Sequence, residues 1–348
     1  MPNAFPTPML TLDPTRPIVE QLSAVGPPGS RASGGDVDSA IAYCRGLARA
    51  HEENFPVLTA LVPRGWRDDF AAVYAFCRWA DDLADETGHG PRAREHSMEL
   101  LAWWREELEA CYAGEPRHPV FVALRPSVER RELPKQAFLD LIDAFEQDQR
   151  VTRYASWADV LGYCTRSADP VGRLVLSIGI PPSRRTPGHG WDEIVRTSDA
   201  VCSALQLTNF WQDARRDLVE RDRVYLPSEI TGLDDATLRA WLDRGDDAGV
   251  RARYGEAIGP LLARTRAMFE EGRSILSLLR AHGHGALVPI VRLFIEGGER
   301  TLALVEREPG TLWARPKLGK GARGAMVARA WAGARIGALG AGRRGGAS

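Results

Sequence analysis

Apolar residues recur at intervals of three and four along most of the chain, from Asp38 to about Trp331. Two clear examples are the runs MELLAWWREELEACY and LLARTRAMFEEGRSILSLLRAH. This spacing gathers apolar side chains on one face of an α-helix. No stretch alternates convincingly between apolar and polar residues, as a half-buried strand does. The pattern therefore predicts an all-α fold, a bundle of helices.

Short turn signals rich in Gly and Pro divide the helical pattern, at residues 88–92, 114–119, 180–190 and 225–235. None is long enough for an interdomain linker, so we predict a single α-helical domain over residues 37–310. Residues 1–36 are rich in Pro, Gly and Ser, and predict a disordered N-terminal tail.

Residues 311–348 carry Arg and Lys but no acidic residue, and predict a basic C-terminal helix or tail. Two interpretations stay open. The segment could contact anionic lipid headgroups as a peripheral membrane element, or it could be a solvated, partly frayed terminus.

Overall charge and cysteine use narrow the function classes. The net charge of -1 gives no basic field, so no nucleic-acid partner is expected. Five scattered cysteines without a CxxC pair predict reduced thiols. The N-terminus has no charged region followed by an apolar run, and no later run is long enough to span a bilayer. We expect a cytoplasmic protein, with peripheral contact at the inner face of the membrane as an addition.

Candidate chemistry begins in the stretch AVYAFCRWADDLADETGHG, residues 72–90. On a helix with about 3.6 residues per turn, Asp81 and Asp85 face the same way, whereas Asp82 points about 100° aside. Two carboxylates on one face repel each other unless a cation lies between them.

A second stretch, QLTNFWQDARRD, repeats the arrangement. Asp213 and Asp217 have the same spacing, and Asn209 lies one turn earlier on that face. Two such helices brought together would form a ring of oxygen ligands, which suits Mg²⁺, with Mn²⁺ as a substitute, bound to a diphosphate. The alternative, two solvated helix faces, is disfavoured by the apolar flanks of both motifs.

The stretches FCRWADDLAD, QLTNFWQDARRD and DRVYLP together resemble the squalene and phytoene synthase family, over about residues 40–310. The resemblance implies an isoprenoid synthase fold, with helices around a central apolar cavity and magnesium diphosphate at its mouth. It implies metal ligands at Asp81, Asp85, Asn209, Asp213 and Asp217. Arg78 and Arg223 would bind diphosphate oxygens. The four aspartates and Arg78 would be the catalytic set, ionising the substrate to a carbocation.

Three further stretches, ENFPV, SADPVGR and DLVERDRVYLP, resemble the hydroxysqualene-forming branch of that family in bacterial hopanoid pathways. The implied reaction takes presqualene diphosphate and water to hydroxysqualene and diphosphate. No nicotinamide cofactor is expected, and other enzymes of the hopanoid pathway are candidate partners.

The same comparison gives a set of substrate-binding candidates, namely His51, Asn54, Phe55, Tyr74, Ser167, Asp169, Gln206, Tyr225 and Phe294. Pro170 is predicted to kink its helix. Ser167 and Asp169 beside it either position the reacting water or satisfy backbone groups that the kink releases. The branch usually has Asn at position 169, so the role of this carboxyl is open. Phe294 lines the cavity or packs in the core.

Two other functions compete with this prediction. One is a condensing prenyltransferase of the same fold, which makes presqualene diphosphate, squalene or phytoene. The other is a non-catalytic assembly protein that keeps the fold. All four carboxylates are present, and this argues against the assembly protein.

Overall fold

The computed structural model describes residues 12–27, 36–50, 61–85, 90–317 and 319. Within these ranges the regular structure is helical, apart from one isolated β-bridge between Arg153 and Val224, which confirms the all-α prediction. The described residues divide into two compact units. The first ends at Gln149 and excludes residues 61–63, which belong with the second. The predicted single domain stays a prediction.

The first unit contains six helices among its described residues: α1 (Ile18–Val25), α2 (Val37–Ala50), α3 (Arg67–Asp85), α4 (Pro91–Ala113), α5 (Pro119–Arg131) and α6 (Lys135–Asp148). Its core is built from aromatic rings on α3, α4, α5 and α6. The indole of Trp79 stacks on that of Trp104 at 5.5 Å between centroids, and Phe76 meets Phe138 edge-on at 4.8 Å. All four rings are fully buried. Such rings bury large apolar areas, which fixes α3 in place.

Part of the predicted disordered tail is wrong, because Ile18–Val25 forms helix α1. Ile18 and Val25 are buried, and Gln21 accepts a hydrogen bond from the Tyr43 hydroxyl on α2 at 3.0 Å. That hydroxyl in turn accepts from the Trp79 indole N–H on α3 at 3.0 Å. The Pro- and Gly-rich composition suggested that the entropy cost of ordering this segment would keep it disordered. Apolar burial and this chain of hydrogen bonds offset that cost.

The second unit contains nine helices among its described residues: α7 (Trp157–Ser167), α8 (Asp169–Gly179), α9 (Trp191–Gln212), α10 (Ala214–Glu220), α11 (Ser228–Thr231), α12 (Asp235–Trp241), α13 (Ala248–Gly272), α14 (Ile275–Ala281) and α15 (Val288–Arg307). The long helices α9 and α13 pack closely. A Cβ at Gly272 would lie 2.5 Å from the Val201 side chain, so only glycine permits this approach. The Trp211 indole donates to the Thr265 hydroxyl at 2.8 Å.

Residues 311–316 lie along the second unit, although the sequence placed the start of a basic tail at 311. Thr311 and Leu312 are buried. The Thr311 hydroxyl hydrogen-bonds to the Tyr254 hydroxyl at 2.9 Å, and the Trp313 indole donates to the Trp241 carbonyl at 2.8 Å. We call residues 311–316 the C-terminal strap. Across the described ranges, every helix is too short or too polar to cross a bilayer.

The packing of α1 gives a stability prediction. Tyr43→Phe leaves the buried Trp79 indole N–H and the Gln21 amide oxygen without their partner, so the free energy of unfolding should fall by about 1–3 kcal/mol. Urea titration followed by circular dichroism measures this change. The control is Tyr112→Phe, which loses a single bond to the Leu133 carbonyl at a half-buried position and should cost under about 1 kcal/mol. Equal effects would contradict the anchoring of α1 through Tyr43.

Candidate active site

The first acidic motif lies on the one stripe of α3 that is not buried. Tyr74, Arg78, Asp81 and Asp85 are half-exposed, and most side chains between them are buried. Their spacing of three and four residues puts them on one helix face. The predicted arrangement of Asp81 and Asp85 therefore holds on α3, and both carboxylates belong to an accessible surface of the first unit.

The Arg78 guanidinium is held by the carboxylate that sequence reasoning set aside. Its Nε donates to Asp82 Oδ2 at 3.1 Å, and its Nη2 pairs with Asp82 Oδ1. Asp82 is only 3% exposed. A third contact joins Arg78 Nη1 to Asp81 Oδ2 at 3.4 Å. Asp82 thus fixes the guanidinium beside Asp81. In the sequence, the only indication of this role was that Asp82 directly follows Asp81.

The second acidic motif is not one continuous helix, so that part of the prediction is wrong. Helix α9 ends at Gln212 and α10 begins at Ala214, because the Asp213 backbone leaves the helical region (φ -100°, ψ 13°). Hydrogen bonds from Asp213 N to the Asn209 carbonyl and from Asp217 N to the Asp213 carbonyl, at 2.8 and 2.9 Å, preserve the spacing across the break.

Asp217 is a buried carboxyl, 7% exposed, in the second unit. Burial raises its pKa to about 7, and the charge of Asp213 adds to the rise, although nearby arginines including Arg223 oppose it. The Arg223 amide donates to the Asp217 carbonyl at 2.8 Å, and Arg223 is buried as well. A carboxyl tuned in this way readily exchanges a proton for a metal ion.

Asp213 is paired with an arginine that lies 102 residues later in the chain. Arg315 of the strap donates through Nε to Asp213 Oδ1 and through Nη2 to Oδ2, the latter at 3.1 Å. Sequence reasoning had assigned Arg315 to the basic tail. The absence of acids after Glu308 was the available signal, but it gave no partner.

The loop that carries Arg223 is fixed by an ion-pair cluster. Asp222 has a left-handed backbone (φ 52°), which is unusual for a residue with a Cβ. Arg153 Nη2 bridges Asp222 Oδ1 at 2.7 Å and Asp235 Oδ1 at 2.5 Å, and Arg239 also contacts both acids. The cluster holds the turn immediately before Arg223.

An aromatic wall adjoins Asp217 and Arg223. The ring of Tyr225 stacks on Phe210 at 3.8 Å and on Tyr154 at 5.2 Å between centroids. Phe210, Tyr225, Asp217 and Arg223 line one small cavity of the second unit. The predicted binding residue Tyr225 thus lies beside the second acidic motif.

The stretch SADPVGR forms a break between two helices rather than a kink in one. Helix α7 ends at Ser167, α8 begins at Asp169, and Pro170 lies in the first turn of α8, where its missing N–H costs nothing. Asp169 is 4% exposed and accepts a hydrogen bond from the Ser203 hydroxyl on α9 at 2.8 Å. The Ser167 hydroxyl oxygen is buried and has no hydrogen-bond partner among the described residues.

The pKa of Asp169 is raised to about 7, first by burial and then by the charge of Asp199. The Ser203 hydrogen bond and the Arg173 charge oppose that rise. Arg173 forms a two-point ion pair with Asp199, at 2.8 and 3.2 Å. Burial therefore favours the protonated form of Asp169 more than in an exposed carboxyl.

The remaining predicted residues have mixed outcomes. Gln206 and Asn209 lie on the accessible side of α9, which ends just before Asp213. Phe294 on α15 is 37% exposed, so ordinary core packing, one of its two interpretations, is wrong. His51, Asn54 and Phe55 lie outside the described residues.

The donor groups fit a hard cation that is shared with phosphate. In the part of the chain that the structure describes, no three His, Cys, Asp or Glu side chains gather into a complete metal site. Each motif supplies two carboxylates, and Asn209 adds an exposed amide oxygen in the second. Mg²⁺ usually takes one or two carboxylates and completes its octahedron with water and phosphate oxygens.

A family model described as squalene/phytoene synthase matches residues 48–322. The chain belongs to this family. Hydroxysqualene synthase from Rhodopseudomonas palustris is 30% identical over 247 residues, which are 70% of this chain and 77% of the relative. Phytoene synthase from Thermus thermophilus is 33% identical over 67% of this chain and 74% of the relative. Members of the squalene/phytoene synthase family are enzymes of isoprenoid synthesis that bind prenyl diphosphates.

Solved structures agree with this family fold. Squalene synthase HpnC from Alicyclobacillus acidocaldarius has a TM-score of 0.61 and 38% identity, covering 79% of this chain and 95% of the other. A ligand complex of a dehydrosqualene synthase has a TM-score of 0.65 at 20% identity, covering 86% and 98%. The predicted isoprenoid synthase fold is confirmed.

Substitutions at Asp222 test how the protein holds the loop before Arg223. Asp222→Ala and Asp222→Gly both lose the ion pairs with Arg153 and Arg239, but only Ala keeps a Cβ in the left-handed region. The Gly variant should therefore be more stable by about 1 kcal/mol, the reverse of their order in a helix. Differential scanning fluorimetry of both variants checks this order. A more stable Ala variant would show that the turn is not left-handed.

A substitution at Asp169 tests how the free energy of unfolding depends on pH. Its pKa is about 7 in the folded protein but near 4 in an unfolded chain, so the contribution of this one carboxyl to stability is lost as pH rises from 4 to 7. Asp169→Asn keeps an acceptor for Ser203 and does not titrate. It should therefore be more stable than wild type by about 1–3 kcal/mol at pH 8, with little of that gain at pH 4.

Urea titrations at pH 4, 6 and 8 measure the Asp169 effect. Asp192→Asn, at an exposed position on α9, is the control for general effects of removing an acid. A difference in unfolding free energy between Asp169→Asn and wild type that stays constant across these pH values would contradict the raised pKa of Asp169.

Proposed function

We propose that the protein is a hydroxysqualene synthase, which converts presqualene diphosphate and water to hydroxysqualene and diphosphate with Mg²⁺ or, as a substitute, Mn²⁺. Support comes from the two acidic motifs and from relatives that bear this name in Rhodopseudomonas palustris, Sinorhizobium fredii and Zymomonas mobilis, at 30–34% identity. The reaction needs diphosphate departure and then capture of a carbocation by water.

The observation that carries the proposal is the buried pair of Asp169 and Ser203. Burying a polar group is costly unless it is hydrogen-bonded, and here the Ser203 hydroxyl donates to the Asp169 carboxyl. Ser203 lies on α9, the helix that also carries Gln206 and Asn209, so the pair shares one element with the first residue of the second motif. A carboxyl with a pKa near 7 and a hydroxyl are suitable groups for orienting water and accepting its proton.

The metal-binding groups in this proposal are Asp81, Asp85, Asn209, Asp213 and Asp217, as the motif resemblance implies. When bound, Mg²⁺ supplies electrostatic stabilisation of the charge that develops on the leaving diphosphate. By the same resemblance, Arg78, fixed by Asp82, and Arg223, fixed by its loop, each offer a guanidinium to diphosphate oxygens. No protein nucleophile is required.

The chemical steps balance without a further reactant. The carbon–oxygen bond to diphosphate breaks, and both electrons leave with the diphosphate. The cyclopropylcarbinyl cation rearranges beside apolar and aromatic walls such as Phe210 and Tyr225, which limit early attack by water. One water oxygen then bonds to the cationic carbon, and its proton passes to the Asp169 carboxylate. No reductant is consumed, which agrees with the expectation of no nicotinamide cofactor.

The second candidate is a condensing prenyltransferase. It is favoured by the names of other similar proteins, phytoene synthase from Thermus thermophilus and squalene synthase HpnC from Alicyclobacillus acidocaldarius. The two candidates differ in substrate use. A hydroxysqualene synthase releases product from presqualene diphosphate and water, whereas a condensing enzyme consumes two molecules of a prenyl diphosphate such as farnesyl diphosphate.

The proposal extends to location and partners. The substrate and product are hydrophobic, so we infer a cytoplasmic enzyme that meets the inner face of the membrane. The basic residues that follow the strap, beginning with Lys317, support contact with anionic lipid. Other enzymes of hopanoid synthesis are the proposed neighbours.

The decisive assay supplies presqualene diphosphate alone, then farnesyl diphosphate alone, with Mg²⁺ and ¹⁸O-labelled water and no nicotinamide. Mass spectrometry should find ¹⁸O-labelled hydroxysqualene from presqualene diphosphate only. Asp81→Asn or Asp213→Asn should lower kcat at least about a hundredfold, because transition-state charge loses its stabilisation. Asp192→Asn on α9 should retain activity. Presqualene diphosphate formed from farnesyl diphosphate, with no hydroxysqualene released from supplied presqualene diphosphate, would establish the condensing alternative.

A further inference from the structure

We propose that Arg315 makes the second acidic cluster selective for a divalent cation that arrives together with diphosphate. The proposal rests on the assignment of Asp213 as a metal ligand under the proposed function. It adds a specificity-determining residue, contributed by the C-terminal strap, to the five ligands that the motifs supplied.

Both oxygens of Asp213 are engaged by this one guanidinium. Arg315 Nε donates to Oδ1 and Nη2 donates to Oδ2 at 3.1 Å, a two-point geometry that matches a carboxylate. The Asp213 side chain is 13% exposed and that of Arg315 is 44% exposed, so water screens the pair mainly from the arginine side. A cation that binds Asp213 must first displace a well-formed ion pair.

The strap fixes the position of Arg315 on both sides. After it, the Pro316 carbonyl accepts a hydrogen bond from the Gln212 amide at 2.6 Å. Before it, the Trp313 indole donates to the Trp241 carbonyl, and the Thr311 hydroxyl pairs with Tyr254. The backbone is thus already ordered, so forming the ion pair costs little further entropy and returning to it is easy.

Additional contacts hold the strap next to the motif. Arg215, two residues after Asp213, donates to the Leu312 carbonyl at 3.4 Å. The Arg251 guanidinium lies 5.3 Å from the centre of the Trp313 ring. The second acidic motif and the strap are therefore one structural feature, although about a hundred residues separate them in the chain.

Competition at Asp213 then depends on what accompanies the metal. A bare divalent cation must displace the guanidinium and leave two positive groups near one carboxylate, which is unfavourable. A cation bound to diphosphate brings several anionic oxygens, and these accept the displaced guanidinium in the two-point manner that arginine favours. The cluster therefore rejects the free metal and accepts the metal diphosphate.

The test uses Mn²⁺ alone as the probe, and the free ion is counted by its electron paramagnetic resonance signal. Arg315→Gln should bind Mn²⁺ alone about tenfold more tightly than wild type, because the competing guanidinium is gone. In the presence of pyrophosphate, the same variant should show no gain in Mn²⁺ affinity. The Mn²⁺ affinity of Arg315→Lys should lie between those of wild type and Arg315→Gln, because a single ammonium group competes less well than a guanidinium.

Matched variants make the result specific. Arg266→Gln removes an equal charge on α13, where Arg266 pairs with Glu306, and should leave Mn²⁺ affinity unchanged. Thr311→Val releases one anchor of the strap and should give a smaller gain than Arg315→Gln. Adding Asp213→Asn to Arg315→Gln should abolish the gain, since the extra affinity resides in that carboxylate.

Unchanged or weaker binding of Mn²⁺ alone by a folded Arg315→Gln protein overturns the proposal. Should that variant fail to fold, Arg315→Lys and Thr311→Val give the same signed test. The outcome is separate from the proposed function. Tighter Mn²⁺ binding by Arg315→Gln, with no turnover of presqualene diphosphate by wild type, upholds the role of Arg315 and rejects the reaction. Unchanged Mn²⁺ binding by the variant, with turnover by wild type, rejects the role of Arg315 and upholds the reaction.

Discussion

Carboxylates set among apolar helix surfaces are the constraint on which the rest of this protein depends. Each one carries a charge that its surroundings disfavour, so each has a specific compensation. Asp82 pairs with Arg78 and Asp213 pairs with Arg315. Asp169 and Asp217 are both deeply buried, and their pKa values are raised to about 7. An arginine partner or a raised pKa thus compensates the charge of each of these four carboxyls.

The helical framework explains why those charges stay in position. In the first unit, fully buried rings of Trp79, Trp104 and Phe76 pack α3 against its neighbours, which leaves only the stripe with Asp81 and Asp85 accessible. In the second unit, α9 packs closely on α13 at Gly272, and the Trp211 indole near the end of α9 donates to Thr265 on α13. Rigid elements hold ligands more accurately than loops do, and a site for charge stabilisation needs that accuracy.

Local pattern predicted the features that depend on nearby residues. The helices, the i, i+4 acid pairs and the polar stretch at Ser167 and Asp169 all follow from spacing within a few turns. Features set by distant partners could not be predicted. Arg315 meets Asp213 across 102 residues, and no local signal names that partner. Helix α1 was missed because Pro and Gly around it dominate the composition, although its contacts with Tyr43 and Trp79 order it. The break at Asp213 has no Gly or Pro to mark it.

The central claim is that both acidic motifs bind divalent cations that carry diphosphate. Anomalous X-ray diffraction from crystals grown with Mn²⁺ and pyrophosphate tests it most directly. The account predicts anomalous peaks about 2.0–2.3 Å from carboxylate oxygens of Asp81 or Asp85 and of Asp213 or Asp217, with Arg315 moved from Asp213 to the pyrophosphate. Pyrophosphate bound with no Mn²⁺ peak at these aspartates would contradict it.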